Sequence, residues 1–129
     1  MVERSEPGEL EAKLAVIKRA YVAELPARAA SLQAAWDRVQ AEDWALAPLQ
    51  ELHRLAHTLA GSGATFGFAD VSACARALEI PVKALLQDAS PEHIQEYIQG
   101  EYIQGERPAL SKLYEALLSA LAAVAESGA

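Results

Sequence analysis

The sequence predicts an all-α protein: an antiparallel, up-and-down four-helix bundle with one or two additional short or kinked helices. Three observations lead to this fold class. The chain is 52% hydrophobic but only 6% aromatic, and its alanine- and leucine-rich mixture favours closely packed helices. Apolar residues recur at three- and four-residue steps, which is the helical period. No stretch shows the alternation of β-branched and polar residues that is typical of a strand.

The length of 129 residues suits one domain. A chain of this size can bury roughly two-thirds of its surface without disulfide or metal supports. We expect a flexible N-terminus over residues 1–8, one helical domain over residues 9–126 and a frayed C-terminus over residues 127–129.

The helical period begins near Glu9. Pro26 lies inside this first segment, where it either kinks one long helix or opens a second helix at its first turn. Asp43 is expected to cap the next helix. The apolar residues that carry this period, mostly at three- and four-residue steps, are Leu14, Ile17, Tyr21, Leu25, Leu32, Trp36 and Val39.

Two further helices are predicted in the middle of the chain. The first ends near Gly67, because glycine favours helix C-termini. The second runs from about Ala69 to Leu86, and Pro81 should kink or break it. The apolar face of the first of these helices is Leu46, Leu49, Leu52, Leu55, Ala56 and Leu59.

The last quarter of the chain contains a start signal, a repeat and a final helix. Ser90-Pro91-Glu92 combines a capping hydroxyl, a proline and an acid, as helix starts do. The pentapeptide Glu96–Gly100 is repeated at once as Glu101–Gly105. This repeat is too short for a solenoid, so we interpret it as a local duplication that lengthens a helix end or loop. The final helix is predicted from about Pro108 to Ala125.

Composition and charge exclude several classes of function. The net charge of −7 disfavours binding to nucleic-acid phosphates. The single cysteine, Cys74, cannot form an internal disulfide and fits a reducing compartment. No secretory signal is visible at the N-terminus, and the apolar stretch around Ala120 to Ala125 is too short to span a bilayer. We therefore expect a cytoplasmic monomer that binds neither nucleic acid nor membrane.

The most informative segment surrounds His57. On a helical wheel, His57 lies about 140° from the centre of the apolar face, so it is expected to point outward. Glycine inside a helix costs about 1 kcal/mol relative to alanine, so Gly61 and Gly63 need a reason. We predict that Gly61, on the His57 side, leaves access to the imidazole. Gly63, on the buried side, is predicted to allow close helix packing.

These residues resemble the core of the histidine phosphotransfer (HPt) domain family. That core is usually a histidine, any residue, leucine, lysine, glycine, then small residues and another glycine. Here it is His57-Thr58-Leu59-Ala60-Gly61-Ser62-Gly63-Ala64, with Gly67 after Phe66. Similar stretches occur at Tyr21–Arg28, Asp43-Trp44, Phe68-Ala69 and Leu78-Glu79, so that the resemblance covers about residues 10–86.

The resemblance implies a phosphorelay carrier of bacterial two-component signalling. His57 would accept a phosphoryl group from the aspartate of one receiver domain and pass it to another. A neutral imidazole is a competent nucleophile at cytoplasmic pH. The implied partners are response-regulator receiver domains, a hybrid sensor histidine kinase, or both. Without a glycine-rich nucleotide loop or an acidic metal cluster, we expect no autonomous kinase activity, and the receiver would supply Mg²⁺.

The docking surface around the phosphoacceptor is expected to include Gln50, His53, Arg54, Ala60, Gly61, Ala64 and Phe68. Ala60 stands where the family usually has a lysine, so a cation next to the phosphohistidine is missing. Arg54, one turn before His57, is expected to compensate in part. Arg76 and Lys83 could complement an acidic edge of the receiver.

The sequence leaves three alternatives. His53 and His57 at i, i+4 could pinch a metal, but no third ligand is evident and we expect no metal site. A degenerate HPt-like helical adaptor would bind a receiver or kinase without phosphotransfer, and Ala60 favours it. The chain could also be the phosphoacceptor domain of a chemotaxis-type kinase, cut from a longer protein.

Overall fold

Four helices make up the part of the chain that the structure describes. The computed structural model describes residues 7–88 and 101–127, and within these ranges it contains no strand. The helices are α1 (Pro7–Ala41), α2 (Leu46–Thr65), α3 (Ala69–Asp88) and α4 (Glu101–Ser127). Each helix packs against two others, in the cyclic order α1, α2, α3, α4. The predicted all-α bundle is confirmed.

The core is formed by one apolar stripe from each helix. Burying each large aliphatic side chain stabilises the fold by about 1.5–3 kcal/mol. No polar or charged side chain is fully buried among the described residues. The following aliphatic side chains are at most 2% exposed: Leu25, Leu32, Val39, Leu52, Leu59, Val71, Leu78, Val82, Leu110, Leu117 and Leu121.

The prolines do not divide the helices. Pro26 lies inside the continuous α1 and Pro81 inside the continuous α3. For each proline, the alternative in which the helix breaks is therefore wrong. A proline inside a helix costs about 3 kcal/mol, but the adjacent residues Leu25 and Val82 are buried. Tertiary packing of this kind supplies most of the stability of a helix in a protein.

The turn between α1 and α2 differs from the prediction. Asp43 and Trp44 have φ angles of 51° and 61°, in the left-handed region that non-glycine residues rarely adopt. The N-cap residue of α2 is Ala45, which makes no side-chain capping bond, so the prediction that Asp43 caps this helix is wrong. The strained backbone buries the Trp44 indole, which packs edge-on against Trp36 with ring centroids 5.9 Å apart.

The helix boundaries shift outward from those expected. α1 begins at Pro7, and α4 begins at Glu101, well before Pro108. The second pentapeptide copy is thus helical, whereas the first copy, the Ser90–Glu92 start signal and residues 1–6, 128 and 129 lie outside the described residues. Gly67, with a φ of 83°, forms the α2–α3 turn and follows the end of α2, as predicted.

By length and composition, α4 could cross a membrane. Its stretch Pro108–Glu126 is 19 residues long and apolar enough for a membrane span. By length and hydropathy, the expectation that no apolar stretch could span a bilayer is therefore wrong. Core helices of water-soluble proteins pass the same test. Here the apolar stripe of Leu110, Leu117 and Leu121 is buried in the bundle, and this length alone supports no membrane assignment.

The backbones of α2 and α3 touch at Gly63. A Cβ atom on Gly63 would lie 2.9 Å from the Ser72 backbone nitrogen and 3.2 Å from Val71 Cγ1. The Ser72 hydroxyl donates a 2.7 Å hydrogen bond across this contact to the Ala60 carbonyl. The packing explanation predicted for Gly63 is confirmed. At Gly61 a Cβ atom would meet nothing within 4 Å, so packing does not require that glycine.

The two glycines predict opposite effects on stability. Gly63→Ala should lower the free energy of unfolding by about 1–3 kcal/mol, because the backbone of α3 must shift to admit the methyl group. Gly61→Ala should raise it by about 0.5–1 kcal/mol, because alanine favours the helix and finds open space. Urea denaturation followed by circular dichroism measures both. Equal effects of the two substitutions would contradict this packing of α2 on α3.

Candidate functional site

His57 lies on the outer face of α2, as the helical wheel predicts. Its side chain is 70% exposed. Gly61 and Ala64 follow on the same face and are also exposed. The surface beyond the imidazole therefore carries almost no side-chain bulk. Whether Gly61 serves access to His57 stays a prediction, but the structure gives it no competing role in packing.

The imidazole of His57 is held by a carboxylate from the neighbouring helix. Glu79 Oε2 lies 2.7 Å from His57 Nδ1. The Glu79 side chain is only 13% exposed, because it lies in the groove between α2 and α3. A carboxylate that is largely shielded from water and attached to a helix is a well-positioned hydrogen-bond partner.

This contact determines which ring nitrogen is available for chemistry. An ionised carboxylate can only accept hydrogen bonds, so with Glu79 ionised this contact requires the tautomer in which Nδ1 of His57 carries the ring proton and donates a hydrogen bond to Glu79. In the neutral ring the other nitrogen, Nε2, then has a free lone pair. Fixing the tautomer through the second nitrogen is a general way to orient a functional histidine. The arrangement presents Nε2 to solvent as a nucleophile.

His53 lies one turn earlier and faces the same carboxylate. Its ring is parallel to that of His57, with centroids 6.0 Å apart and a 13° interplanar angle. His53 Nε2 is 3.5 Å from Glu79 Oε2, but it makes no well-formed hydrogen bond. Within residues 7–88 and 101–127, no group of three or more His, Cys, Asp or Glu side chains is placed to hold a metal ion.

Arg54 is directed away from His57. Its Nε and Nη2 atoms donate to the two carboxylate oxygens of Glu51, at 2.9 Å and 2.7 Å. This hydrogen bonding lowers the pKa of Glu51 and raises the pKa of Arg54. The guanidinium is thus engaged on its own helix. This arrangement does not place Arg54 beside His57, and its compensation for the missing lysine stays a prediction.

Two other predicted docking residues are placed differently from expectation. Ala60 is 2% exposed and its carbonyl accepts the hydrogen bond from Ser72, so it backs onto α3 instead of lining the surface. Phe68 is half-buried, and its ring packs parallel to that of Tyr21 at 5.9 Å. It anchors the α2–α3 turn to α1. Gln50 is exposed, as expected.

A positive charge does reach this face, from α3. Arg76 is exposed, lies one turn before Glu79 in α3, and has no hydrogen bond or ion pair to another described residue. Together with Ala64 it lines a shallow concavity at the C-terminal end of α2. The other lining residues are Gly67, Ala69, Ser72 and Ala73, so Arg76 is the one charged group in this concavity.

Glu79 has no role in the sequence-based prediction, although Leu78-Glu79 belongs to the family resemblance. Two signals could have identified it. An acid between the apolar residues Leu78 and Ile80 stands at the edge of a buried face. The close approach predicted at Gly63 also sets the antiparallel register of α2 and α3, which brings His57 level with this part of α3.

Comparison with known proteins gives one match. A family model described as Hpt domain matches residues 16–126. This match spans His57, Glu79 and most of the described helices. No curated protein and no solved structure matches the chain.

The Glu79 contact predicts a defined tautomer of His57. In the wild type, Nδ1 should be protonated and Nε2 unprotonated. Glu79→Ala should release the ring to a mixture containing the Nε2–H form, whereas Glu79→Gln should retain part of the preference because its amide oxygen still accepts. Long-range ¹H–¹⁵N NMR of the imidazole, in neutral solution, measures this directly. An unchanged tautomer in Glu79→Ala would show that the carboxylate does not orient the ring.

Proposed function

This chain belongs to the HPt domain family, and we propose on that premise that it is a phosphorelay carrier with His57 as phosphoacceptor. Members of this family exchange phosphoryl groups with receiver domains and kinases. The single observation that best supports the role in this chain is the exposed His57 with its Nδ1 bound to Glu79. That geometry leaves a nucleophilic nitrogen facing outward on a surface with little steric bulk.

The proposed transfer is one displacement at phosphorus. The Nε2 lone pair of His57 attacks the phosphorus of a receiver aspartyl phosphate, while the bond from phosphorus to the aspartyl oxygen breaks. The electron pair of that bond stays on the receiver carboxylate. The reverse reaction returns the phosphoryl group to the aspartate of a second receiver. No proton has to leave Nε2, because Nδ1 holds the ring proton throughout.

Glu79 would assist this step through charge. As Nε2 bonds to phosphorus, positive charge develops on the ring, and the Nδ1–H group becomes a stronger donor. The Glu79 carboxylate at 2.7 Å is already in place to offset this charge. A preorganised partner of this kind stabilises the transition state without reorganisation during the reaction. Phosphoryl transfer depends mostly on such positioning and charge stabilisation.

The docking surface would be the face formed by α2 and α3 around His57. Gln50, Gly61 and Ala64 supply its exposed, small or polar part on α2. Ile80, next to Glu79, is 61% exposed and adds an apolar contact on α3. A small surface of this kind fits the weak, reversible binding of signalling partners. The receiver would bring the aspartate and its Mg²⁺, in the cytoplasm of a bacterium.

We further propose that Arg76 supplies the cation that the family usually provides from α2. The lysine position is occupied by the buried Ala60. Arg76 lies on the α3 face that carries Glu79, one turn closer to the level of Gly61, and is unpaired among the described residues. A guanidinium suits phosphoryl oxygens because its planar donors bind them in pairs. It would contact the transferred group or the acidic pocket of the receiver.

A transfer assay tests the carrier role. The protein is mixed with a panel of phosphorylated receiver domains and Mg²⁺, and intact-mass measurement at neutral or alkaline pH follows the label. Wild type should gain an acid-labile phosphoryl group and His57→Gln should gain none while keeping its helical circular dichroism. Incubation with ATP alone should give no label. Failure of every receiver to label the folded wild type would contradict the proposal and favour an adaptor that binds without phosphotransfer.

Two arginines on this face provide a matched comparison. Arg76→Ala should slow transfer from a phosphorylated receiver by about tenfold, since one charge-assisted hydrogen bond contributes about 1.5–3 kcal/mol and water replaces part of it. Arg54→Ala should change the rate by less than about twofold, because this exposed side chain pairs with Glu51 and exposed pairs contribute little. Rapid-quench kinetics measure both. A larger effect of Arg54→Ala would overturn the assignment of Arg76.

A further inference from the structure

The first part of α1 extends beyond the bundle. α1 begins at Pro7, yet its first buried side chain is Tyr21. Residues 8–20 therefore form an overhang, defined here as the part of α1 before Tyr21. At 1.5 Å per residue it is about 20 Å long. The family match begins only at residue 16, so that more than half of the overhang lies outside the matched region.

The overhang carries an apolar stripe that is about half exposed and is not covered by the described helices. Leu10, Leu14 and Ile17 are 55%, 55% and 50% exposed. Their spacing of four and three residues places them on one helix face, and the same face carries Tyr21 and Leu25, which are 4% and 1% exposed. The stripe that faces the core in the rest of α1 thus continues into solvent. Exposed apolar stripes of this kind mark interaction surfaces.

The four-helix framework offers nothing to cover this stripe. The α2–α3 turn reaches only the level of Lys18 and Tyr21, where Phe68 packs. At the same end, Ala122 and Ala125 of α4 line a cavity together with Leu25 and Pro26 of α1. The end of α3 and the beginning of α4 lie at the opposite end of the bundle. The occupant therefore has to come from outside the described framework.

We propose that the occupant is a second copy of this chain, whose overhang pairs with the first in antiparallel orientation about a two-fold axis near Leu14. Leu14 is the midpoint of residues 8–20, so each overhang spans the whole of the other. Leu14 meets its own copy at the axis, and Leu10 packs against Ile17 of the second copy. Such a two-fold contact is self-complementary by symmetry.

Charge complementarity between Glu11 and Lys18 favours a second copy as the occupant and an antiparallel orientation of the two helices. Glu11 and Lys18 flank the stripe on the same side, within about 80° of its centre on the helical wheel. Antiparallel pairing about Leu14 places Glu11 of each copy near Lys18 of the other, whose ammonium also lies 4.9 Å from the Phe68 ring centroid of its own chain. In a symmetric parallel pair, Glu11 of one copy and Lys18 of the other would lie on opposite sides of the seam, so this pairing would not form.

The dimer is expected to be weak, because the contact is short and falls below the size of standard interfaces. It leaves His57 free, since the overhang precedes the bundle and His57 lies within it. Dimerisation is thus independent of phosphotransfer. The proposed dimer replaces the monomer that was expected from the sequence. The sequence alone could not show that Leu10, Leu14 and Ile17 are uncovered.

Sedimentation equilibrium of the full chain over a wide concentration range tests the proposal. Wild type should associate reversibly to a dimer, and Leu14→Glu should stay monomeric with unchanged helical circular dichroism, because Leu14 is not in the core. Glu11→Lys alone and Lys18→Glu alone should each weaken association by about tenfold, since two attractive contacts become repulsive.

Mixing two variants with opposite charge changes tests the antiparallel pairing directly. An equimolar mixture of Glu11→Lys and Lys18→Glu should form a heterodimer, and the double variant carrying both substitutions should regain the wild-type dimer. A wild type that stays monomeric at every concentration would overturn the proposal, as would an unaltered dimer in Leu14→Glu. A mixture that fails to associate would overturn the antiparallel arrangement. Binding of the monomer to phosphatidylserine vesicles, lost in Leu14→Glu, would identify a membrane as the occupant instead.

Discussion

The geometry around His57 depends on one close contact, where the backbone of α2 at Gly63 meets the backbone of α3 at Ser72. A Cβ atom on Gly63 would lie 2.9 Å from the Ser72 nitrogen, so only glycine admits this approach. The contact sets both the distance and the antiparallel register of the two helices. With that register, Glu79 reaches His57 Nδ1 at 2.7 Å. A packing constraint on the buried side of α2 therefore orients the imidazole of His57, the proposed phosphoacceptor, on its outer side.

The candidate site consists of a shielded carboxylate, Glu79, and an exposed imidazole, His57. The side chain of Glu79 is 13% exposed and that of His57 is 70% exposed, so the carboxylate is shielded while the imidazole is open to a large partner. The cation that the family usually carries on α2 is absent at Ala60, and Arg76 of α3 brings an exposed positive charge to this face. The proposed carrier role needs an exposed nucleophile that is held in position, and the pairing of His57 with Glu79 fits that requirement.

Periodicity predicted most of the fold, because the apolar stripes recur over many turns. The helical wheel of α2 also predicted that His57 points outward and that Gly63 packs against a neighbouring helix. What the sequence could not predict depends on contacts between elements. The pairing of Glu79 with His57 needs the register of two helices, and the burial of Ala60 depends on how closely α3 approaches. Pro81 stays inside α3 because packing outweighs its local preference, which no single segment of sequence reveals.

The central claim is that Glu79 holds Nδ1 of His57 so that Nε2 carries the phosphoryl group. The most direct measurement is ³¹P–¹⁵N correlation NMR of the ring-labelled, phosphorylated protein at alkaline pH, where phosphohistidine persists. The account predicts coupling of phosphorus to Nε2 of His57, with Nδ1 still protonated by its contact with Glu79. Coupling of phosphorus to Nδ1, or a phosphoryl group on His53, would contradict it.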